Sequence, residues 1–216
     1  MSVGVTEVSS PGAVQAFNAF PRKIYRNFYV APSFPVLERS SPHYDPLFER
    51  VEAMAFLAVR NGHVLGRIAA SVNQAQNDGE TGFWGYFESL NDTAVAGRLV
   101  EAAANWLSSR GKNKMIGPVD LSPHERLGLL VEGFGGYHNP GMPYNPNYYP
   151  SLLNQCGMET EMNLNAYHYD LRVPVPGRLA RVAERASRSK GISIREIDFN
   201  NLKREGEIFS LIHNGS

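Results

Sequence analysis

The stretch from residue 81 to residue 131 constrains the fold of this chain more than any other. It opens with the aromatic run FWGYF at residues 83–87, which is too short for a helix and suits a pleated strand. Apolar residues then recur from Val95 to Leu107 at the spacing of one helix face. A second strand is predicted at residues 114–119, where Gly117-Pro118 breaks it into a polar loop. Strand, helix and strand in this order form a crossover unit, and anions bind at the turn into the helix of such units.

Capping residues mark both ends of the predicted helix. Asp92 or Thr93 can accept hydrogen bonds from the first free N–H groups, and Gly111 can take the left-handed conformation after the last turn. Whether the turn still binds an anion therefore depends on which group occupies those N–H donors.

The composition excludes several classes of protein. Lys plus Arg and Asp plus Glu number 21 each, so the net charge is zero, which argues against a nucleic-acid or membrane-surface binder because both need a basic excess. The single cysteine, Cys156, can form no internal disulfide and fits a reducing compartment. The first residues lack a secretory signal, and no apolar run approaches the roughly 20 residues that span a bilayer. We expect a cytoplasmic protein with no nucleic-acid partner and no membrane partner.

The N-terminal segment predicts a strand, a helix and a flap. Residues 3–8 alternate apolar and polar and form a candidate opening strand, and Ser10-Pro11 marks the start of a helix behind it. Residues 21–46 carry recurrent prolines, which exclude one long helix, but they are also rich in aromatic residues. We interpret them as an ordered flap over a core or cleft, because aromatic content argues against disorder.

A hairpin follows the flap. Asn61-Gly62 lies between two apolar runs, residues 54–59 and residues 63–73, which is a strong signal for two strands joined by a tight turn. The aromatic run at residues 83–87 adds a third consecutive strand. The first half of the chain therefore predicts an antiparallel sheet.

The remainder of the chain predicts a long loop and a short repeat of the N-terminal order. The loop covers residues 120–147, and a short helix at residues 148–155 leads to a strand at residues 158–171. A linker at residues 173–177 then opens a helix, a strand at residues 192–197 and a final helix. This tail has the order of the beginning of a second copy.

These elements together predict an α/β fold. A mixed, mostly antiparallel sheet flanked by helices is expected over residues 1–172, followed over residues 173–216 by a linker helix and the start of a partial second unit. Residues 172–204 carry nine Lys or Arg against three Asp or Glu. That local excess fits either a solvated helix face or a site for an acidic partner.

Three short stretches carry a resemblance to a known family. They are GPVDLS at residues 117–122, GLLVEGF at residues 128–134 and MPYNPNYY at residues 142–149. With the order of elements, they resemble the GNAT superfamily of N-acetyltransferases, and specifically a bacterial GNAT-like subgroup with GPxxxS, GLLxxGF and MPYNxxYY motifs. The resemblance covers residues from about 3 to 171. It implies a GNAT-like fold, and the subgroup looks like tandem proteins with two GNAT-like halves.

The resemblance also implies a cofactor site. GNAT enzymes hold the pyrophosphate of acetyl-CoA, or of another acyl-CoA, in a Q/R-x-x-G-x-G/A loop that falls here on residues 91–96. The implied contacts are Asn91, Thr93, Ala94, Val95 and Ala96. Alanine replaces the first glycine of that loop, and Asp92 would occupy the N–H donors and repel a pyrophosphate. An ordinary helix cap and a retained cofactor site are both open interpretations.

A tyrosine is the expected acid in such enzymes. Many GNAT enzymes place it four residues before the glycine that ends the last helix, where it protonates the departing CoA thiolate. That position is Leu153 here, and Tyr149 lies one turn earlier on the same helix face. Tyr149 is therefore our candidate acid, with packing as the alternative role for Tyr148 and Tyr149.

The long loop supplies the other candidate residues, because a loop of this length in a compact domain is usually functional. Glu125 and His124 are the candidate bases for an amine, since base catalysis needs a carboxylate or histidine within hydrogen-bond reach. The alternative for this stretch is a capping box in which Ser122 caps a short helix and Glu125 returns to its backbone. Glu88, at the end of the central strand, is a further candidate for a carboxylate that faces the amine.

The substrate contacts and the reaction follow from these candidates. Ser122, Tyr144 and Asn145 are the candidate substrate contacts. The histidines show no paired spacing and Cys156 has no partner, so no metal site is predicted. The predicted function is transfer of an acyl group from an acyl-CoA, or another acyl donor, to a small-molecule amine. The alternative is a non-catalytic GNAT-like module that binds a small molecule or a protein and has lost the pyrophosphate loop.

Overall fold

The chain forms two compact units, residues 1–164 and residues 165–216. The structure is a computed structural model, and it describes residues 2–25, 50–74, 79–121, 125–136, 138–139, 141–188 and 195–215. The helices of the first unit are α1 (Pro11–Ala19), α2 (Arg22–Tyr25), α3 (Thr93–Ser108) and α4 (Tyr149–Gln155). Most of the predicted flap, from residue 26 onward, lies outside the described residues. The predicted division after residue 172 stays a prediction.

A five-stranded sheet organises the first unit, and its strands follow one another in chain order. They are β1 (Gly4–Glu7), β2 (Val51–Arg60), β3 (His63–Asn73), β4 (Thr81–Ser89) and β5 (Lys114–Ile116). The first three pairings are antiparallel, and β4 pairs with β5 in parallel across the α3 crossover. The predicted fold class, a mixed and mostly antiparallel sheet flanked by helices, is confirmed.

The turn between β2 and β3 is the predicted hairpin. Asn61 and Gly62 both have positive φ, at 52° and 76°. Two successive residues with positive φ make the turn whose twist matches that of the flanking strands, and Asn-Gly is the dipeptide that best tolerates it. The local sequence therefore fixes the pairing of the two longest strands.

Helices cover both faces of the sheet. Consecutive residues of a strand point to opposite faces, and in β2 the four residues from Ala55 to Ala58 are all buried. One face packs against α3 through side chains such as Leu99 and Leu107 and against α4. The other face packs against α1, where Phe17 is fully buried. Each buried leucine or phenylalanine of this kind stabilises the fold by about 1.5–3 kcal/mol.

The end of β4 is irregular, and this positions the candidate site. Gly85 of β4 pairs with Ala69, whereas Glu88 pairs with Arg67, so β4 carries one extra residue in a β-bulge. Tyr86 lies in this bulge with a positive φ of 52°. The chain that leaves β5 passes so close to β4 that a Cβ on Gly85 would lie 2.2 Å from the Val119 carbonyl oxygen. Only glycine fits at this crossing.

The predicted strand at residues 158–171 is wrong. The structure has no strand there, and its apolar side chains are exposed, for example Met162 at 72%. Alternating side chains predict a strand, but a strand also needs a hydrogen-bonding partner. Within the described part of the chain, β5 pairs with β4 alone. The described residues of the other predicted strand, 195–197, also lack strand structure.

The second unit contains α5 (Gly177–Ser187) and α6 (Leu202–Asn214), close to the two helices predicted for the tail. Arginines occupy one side of α5, and the apolar residues Leu179 and Val182 occupy another. None of the helices that the structure describes has the length and apolar character needed to cross a membrane.

Candidate functional site

Glu88 is the centre of a buried polar cluster at the end of β4. Its side chain is fully buried, and its Oε2 accepts a hydrogen bond of 2.6 Å from the Tyr25 hydroxyl and one of 2.8 Å from the Tyr149 hydroxyl. The two tyrosines belong to α2 and α4, which lie far from β4 in sequence. One carboxylate oxygen therefore joins three elements of the first unit.

The other carboxylate oxygen of Glu88 faces two arginines. Arg126 Nη1 donates to Oε1 over 3.2 Å, and Arg67 Nη2 lies 3.8 Å from the same oxygen. Arg126 also donates from Nε to Asp120 Oδ2 over 2.8 Å. We call this set the Glu88 network. Its members are Tyr25, Arg67, Glu88, Asp120, Arg126 and Tyr149. Two cations face two carboxylates, so the Glu88 network is neutral overall, as burial requires.

The β-bulge explains why the second carboxylate lies here. Asp120 Oδ1 accepts a hydrogen bond from the Tyr86 N–H. In a regular sheet this N–H would donate to a backbone carbonyl of the neighbouring strand, and here a side-chain carboxylate accepts instead. Arg67 is fixed from the other side, because it donates over 3.1 Å to the Phe17 carbonyl and lies 4.8 Å above the Phe17 ring. The long loop and α1 are thus both tied to the end of β4.

Burial shifts the protonation equilibria of this region. It raises the pKa of Tyr149 well above its usual value, and the nearby Glu88 charge raises it further. Burial also raises the pKa of Tyr86, with Asp120 adding to the effect. Burial lowers the pKa of Arg67, and the Glu88 charge opposes that change. Both tyrosines therefore keep their protons at neutral pH, and the Tyr149 hydroxyl donates its proton to Glu88 in a hydrogen bond.

The hydroxyl groups of Tyr148 and Tyr149 both form hydrogen bonds with the end of β4. The Tyr149 hydroxyl donates to Glu88 and accepts from the Ser89 N–H over 2.9 Å. The Tyr148 hydroxyl donates over 2.8 Å to the Ser89 carbonyl. Tyr149 therefore makes polar contacts in addition to its packing in the core, and its proton points at Glu88. Its role as an acid stays a prediction.

A small cavity lies beside the Glu88 network. Its volume is about 10 Å³, which is room for about one water molecule. Arg126 and Tyr149 supply polar groups to its wall, and Phe87 and Leu129 supply apolar ones. The predicted substrate contact Tyr144 also lines it. The cavity thus combines a cation, a protonated tyrosine and apolar surface next to a buried carboxylate.

The other predicted site residues fall in different places. Glu125 is exposed and is not part of the Glu88 network. His124 and Ser122 lie outside the described residues, so the capping box is a prediction that the structure does not address. Asn145 lines the cavity, but its side chain also ties the loop together, because it accepts from the Leu130 N–H over 2.8 Å and donates to the Leu130 carbonyl over 3.2 Å. The described residues include no group of three or more possible metal ligands.

The predicted cofactor loop contains a helix cap. Asp92 Oδ1 accepts from the Ala94 N–H over 2.9 Å and from the Val95 N–H over 3.3 Å, and Arg60 pairs with Asp92 Oδ2 at 3.1 Å. The N–H groups that a pyrophosphate needs are therefore already bonded to a carboxylate. The residues at this turn do not fit the pyrophosphate of CoA.

Sequence reasoning missed four members of the Glu88 network. Tyr25, Arg67, Asp120 and Arg126 received no role, and Glu88 was only a further candidate. A usable signal exists for Arg67, because it is the only charged residue within the apolar stretch of β3, and a charge in a buried strand needs a partner. Glu88, which follows the aromatic run of β4, is the matching opposite charge.

Comparisons with known proteins give two relatives by sequence. No protein-family model matches the chain. The chain is 30% identical over 221 residues to the bacterial ceramide synthase of Caulobacter vibrioides, covering 98% of this chain and 57% of that protein. It is 28% identical over 159 residues to protein YghO of Escherichia coli, covering 71% of this chain and 41% of that protein. The chain thus spans about half the length of the curated relatives it matches.

Solved structures of acetyltransferases are also similar to this chain. The ribosomal-protein-alanine N-acetyltransferase of Brucella melitensis aligns with a TM-score of 0.43 and 14% identity, covering 78% of this chain and 100% of that chain. The order from β1 to α4 in the present structure is the order that the GNAT resemblance implied.

Proposed function

We propose that this chain is part of an N-acyltransferase that joins a long-chain acyl group to the amino group of a long-chain amino alcohol. The observation that carries this proposal is the 30% identity to a bacterial ceramide synthase along 98% of the chain. A ceramide is an amide of that kind, so its synthesis is the acyl transfer to an amine that the sequence predicted. The chain spans 57% of that relative. The activity of the whole relative is therefore carried over to this chain only as part of the proposal.

The Glu88 network supports the proposal by its chemistry. Acyl transfer from a thioester to an amine removes a proton from the amine and delivers one to the departing thiolate, so a site needs an acceptor and a donor. Tyr149 and Glu88 are such a pair, 2.8 Å apart and beside a cavity with apolar walls. In this proposal they handle the protons, and the cavity beside them has room for about one water molecule that could relay a proton. Glu125 and His124 stay candidates for the base.

The test is amide formation by the purified protein. A palmitoyl thioester and a long-chain amino alcohol are the substrates, and mass spectrometry of the amide and release of the free thiol are the two readouts. We expect Tyr149→Phe to lose most of the activity. Tyr148→Phe is the matched control, because Tyr148 contacts the Ser89 carbonyl and not Glu88. Absence of amide with the wild-type protein, under conditions where the Caulobacter relative forms it, would refute the proposal.

A second candidate function is a non-catalytic module. The observation that favours it is the Asp92 cap, which closes the place where an acyl-CoA would be held. Such a module would bind the long-chain amine or the amide product without converting it. Saturable binding of either lipid, with no thiol release from any thioester, would support this alternative.

A further inference from the structure

The turn before α3 already contains an anion. The Asp92 carboxylate accepts from two of the free N–H groups of the first helical turn, at 2.9 Å and 3.3 Å. These donors and the positive end of the helix dipole are what a phosphate group would use at such a turn. A ligand phosphate would have to displace Asp92, and the displaced carboxylate would stay nearby and repel it.

Neighbouring side chains hold this arrangement in place. The Arg60 guanidinium of β2 pairs with the second oxygen of Asp92 at 3.1 Å, so its charge is directed at the protein's own carboxylate. On the other side, the Thr93 hydroxyl donates over 2.9 Å to Gln155 at the end of α4. Displacing the cap would therefore break the contacts of Asp92 to the first turn of α3 and to Arg60 of β2.

Two residues at this turn also carry a methyl group. Ala94 and Ala96 occupy the two positions where the CoA loop of the resembling family carries Gly and Gly or Ala. Ala96 is fully buried, and its methyl group belongs to the core around α3. The Ala94 Cβ limits how closely a phosphate can approach the N–H groups, because only glycine leaves them open.

We infer that the N-terminus of α3 does not bind the diphosphate of CoA. The acyl donor of the proposed reaction is recognised by its acyl chain and pantetheine arm, without the nucleotide at this turn. The statement about the donor rests on the proposed function. The statement about α3 rests on the Asp92 contacts and on the Ala94 methyl group, and it does not depend on the proposed function.

The first test is a titration of the full chain with CoA, followed by NMR. The backbone amide signals of Ala94 and Val95 report on the turn itself. We expect them to stay unshifted up to about 1 mM CoA, a concentration that would saturate any site of useful affinity. Saturable shifts of these two signals below that concentration would overturn the inference. Shifts elsewhere with these two unmoved agree with it.

The second test opens the turn by mutation. The double variant Asp92→Gly, Ala94→Gly removes the carboxylate and the methyl group, and glycine is itself a tolerated N-cap residue. We expect CoA affinity at the Ala94 and Val95 amides to rise by at least about tenfold relative to wild type. Asp92→Asn keeps the cap but removes the charge, so its CoA affinity should lie between those of the wild type and the double variant. If the opened variant folds and gains no affinity, Asp92 is not what closes the turn, and the physical reason given for the inference is refuted.

A donor comparison separates this inference from the proposed function. Palmitoyl-CoA and palmitoyl-pantetheine differ only in the nucleotide part. We expect their KM values in the amide assay to agree within about threefold, because no nucleotide is bound at this turn. A KM for palmitoyl-pantetheine that is higher by about a hundredfold, together with a rise in the palmitoyl-CoA KM on Ala94→Asp, would overturn the inference. If neither donor gives amide, the proposed function fails, and the NMR titration alone decides the inference.

Discussion

Replacing Glu88 by glutamine should destabilise the protein strongly although the side chain keeps its shape. The carboxylate is fully buried and faces Arg126 at 3.2 Å and Arg67 at 3.8 Å. In Glu88→Gln both arginines stay buried and share the single carboxylate of Asp120. Removing one partner of a buried ion pair typically costs about 3–5 kcal/mol, because the remaining charge is uncompensated. The two tyrosine hydroxyls can still donate to the amide oxygen, so we expect the lower end, about 3 kcal/mol.

Urea unfolding measures this loss directly. The only two tryptophans of the chain, Trp84 and Trp106, are buried at 2% and 8% exposure, so their fluorescence reports on the core of the first unit. Glu101→Gln is the matched control, because Glu101 pairs with Arg98 on the surface, where both side chains are about half exposed. That change should cost at most about 0.5 kcal/mol.

The double variant Glu88→Gln, Arg126→Met sharpens the experiment. It removes one charge of each sign and leaves Arg67 with Asp120, so the buried charges balance again. We expect it to be more stable than Glu88→Gln by about 1 kcal/mol or more. Replacing both members of a buried ion pair lowers the free energy of unfolding less than removing one member alone. A loss below about 1 kcal/mol in Glu88→Gln would contradict the view that this carboxylate compensates two buried cations.

Two further predictions concern the backbone crossing and the tyrosines. Gly85→Ala should destabilise the first unit by more than about 3 kcal/mol in urea unfolding, because the new Cβ would lie 2.2 Å from the Val119 carbonyl oxygen. Gly97→Ala in α3, where a Cβ meets nothing within 4 Å, should instead stabilise by about 0.5–1 kcal/mol. The pKa of Tyr148 is raised to about 12, first by burial and then by Glu88, and that of Tyr149 is also raised. Because these folded-state pKa values exceed the unfolded value of about 10, the tyrosines contribute full stability below pH 10, and this contribution is lost as the pH rises through the folded pKa. The ultraviolet absorbance of tyrosinate should show that Tyr148 and Tyr149 lose their protons only when the protein unfolds. Deprotonation of either hydroxyl near pH 10 in the folded protein would contradict its burial.

Local sequence chemistry predicted the parts of the fold that depend on neighbouring residues. Asn61-Gly62 specifies its turn because both positions need positive φ, and Asp92 specifies the start of α3 because its side chain reaches N–H groups two and three residues ahead. The break at Gly117-Pro118 was also visible, although its reason was not. That reason is the close crossing of β4, which exists only once the sheet has formed.

The Glu88 network could not be predicted in the same way. Tyr25 and Tyr149 reach Glu88 from positions 63 and 61 residues away in sequence, and no spacing rule connects them. The candidate bases were sought in the long loop because loops carry function, yet the buried carboxylate lies on a strand. The incorrect strand at residues 158–171 has a related cause, since alternation describes a side-chain pattern and says nothing about a pairing partner.

The two carboxylates that flank the β4–α3 turn have opposite consequences for chemistry. Asp92 lies at the surface end of α3, where it uses the helix donors and excludes a second anion. Glu88 lies at the buried end of β4, where two cations and two tyrosines hold it in a fixed position beside a cavity. A fixed, desolvated carboxylate next to a protonated tyrosine suits proton handling, whereas a capped helix end suits stability alone. The sequence suggested an anion site at the start of α3 in this crossover unit. The geometry instead favours the end of β4, at Glu88, as the place for chemistry.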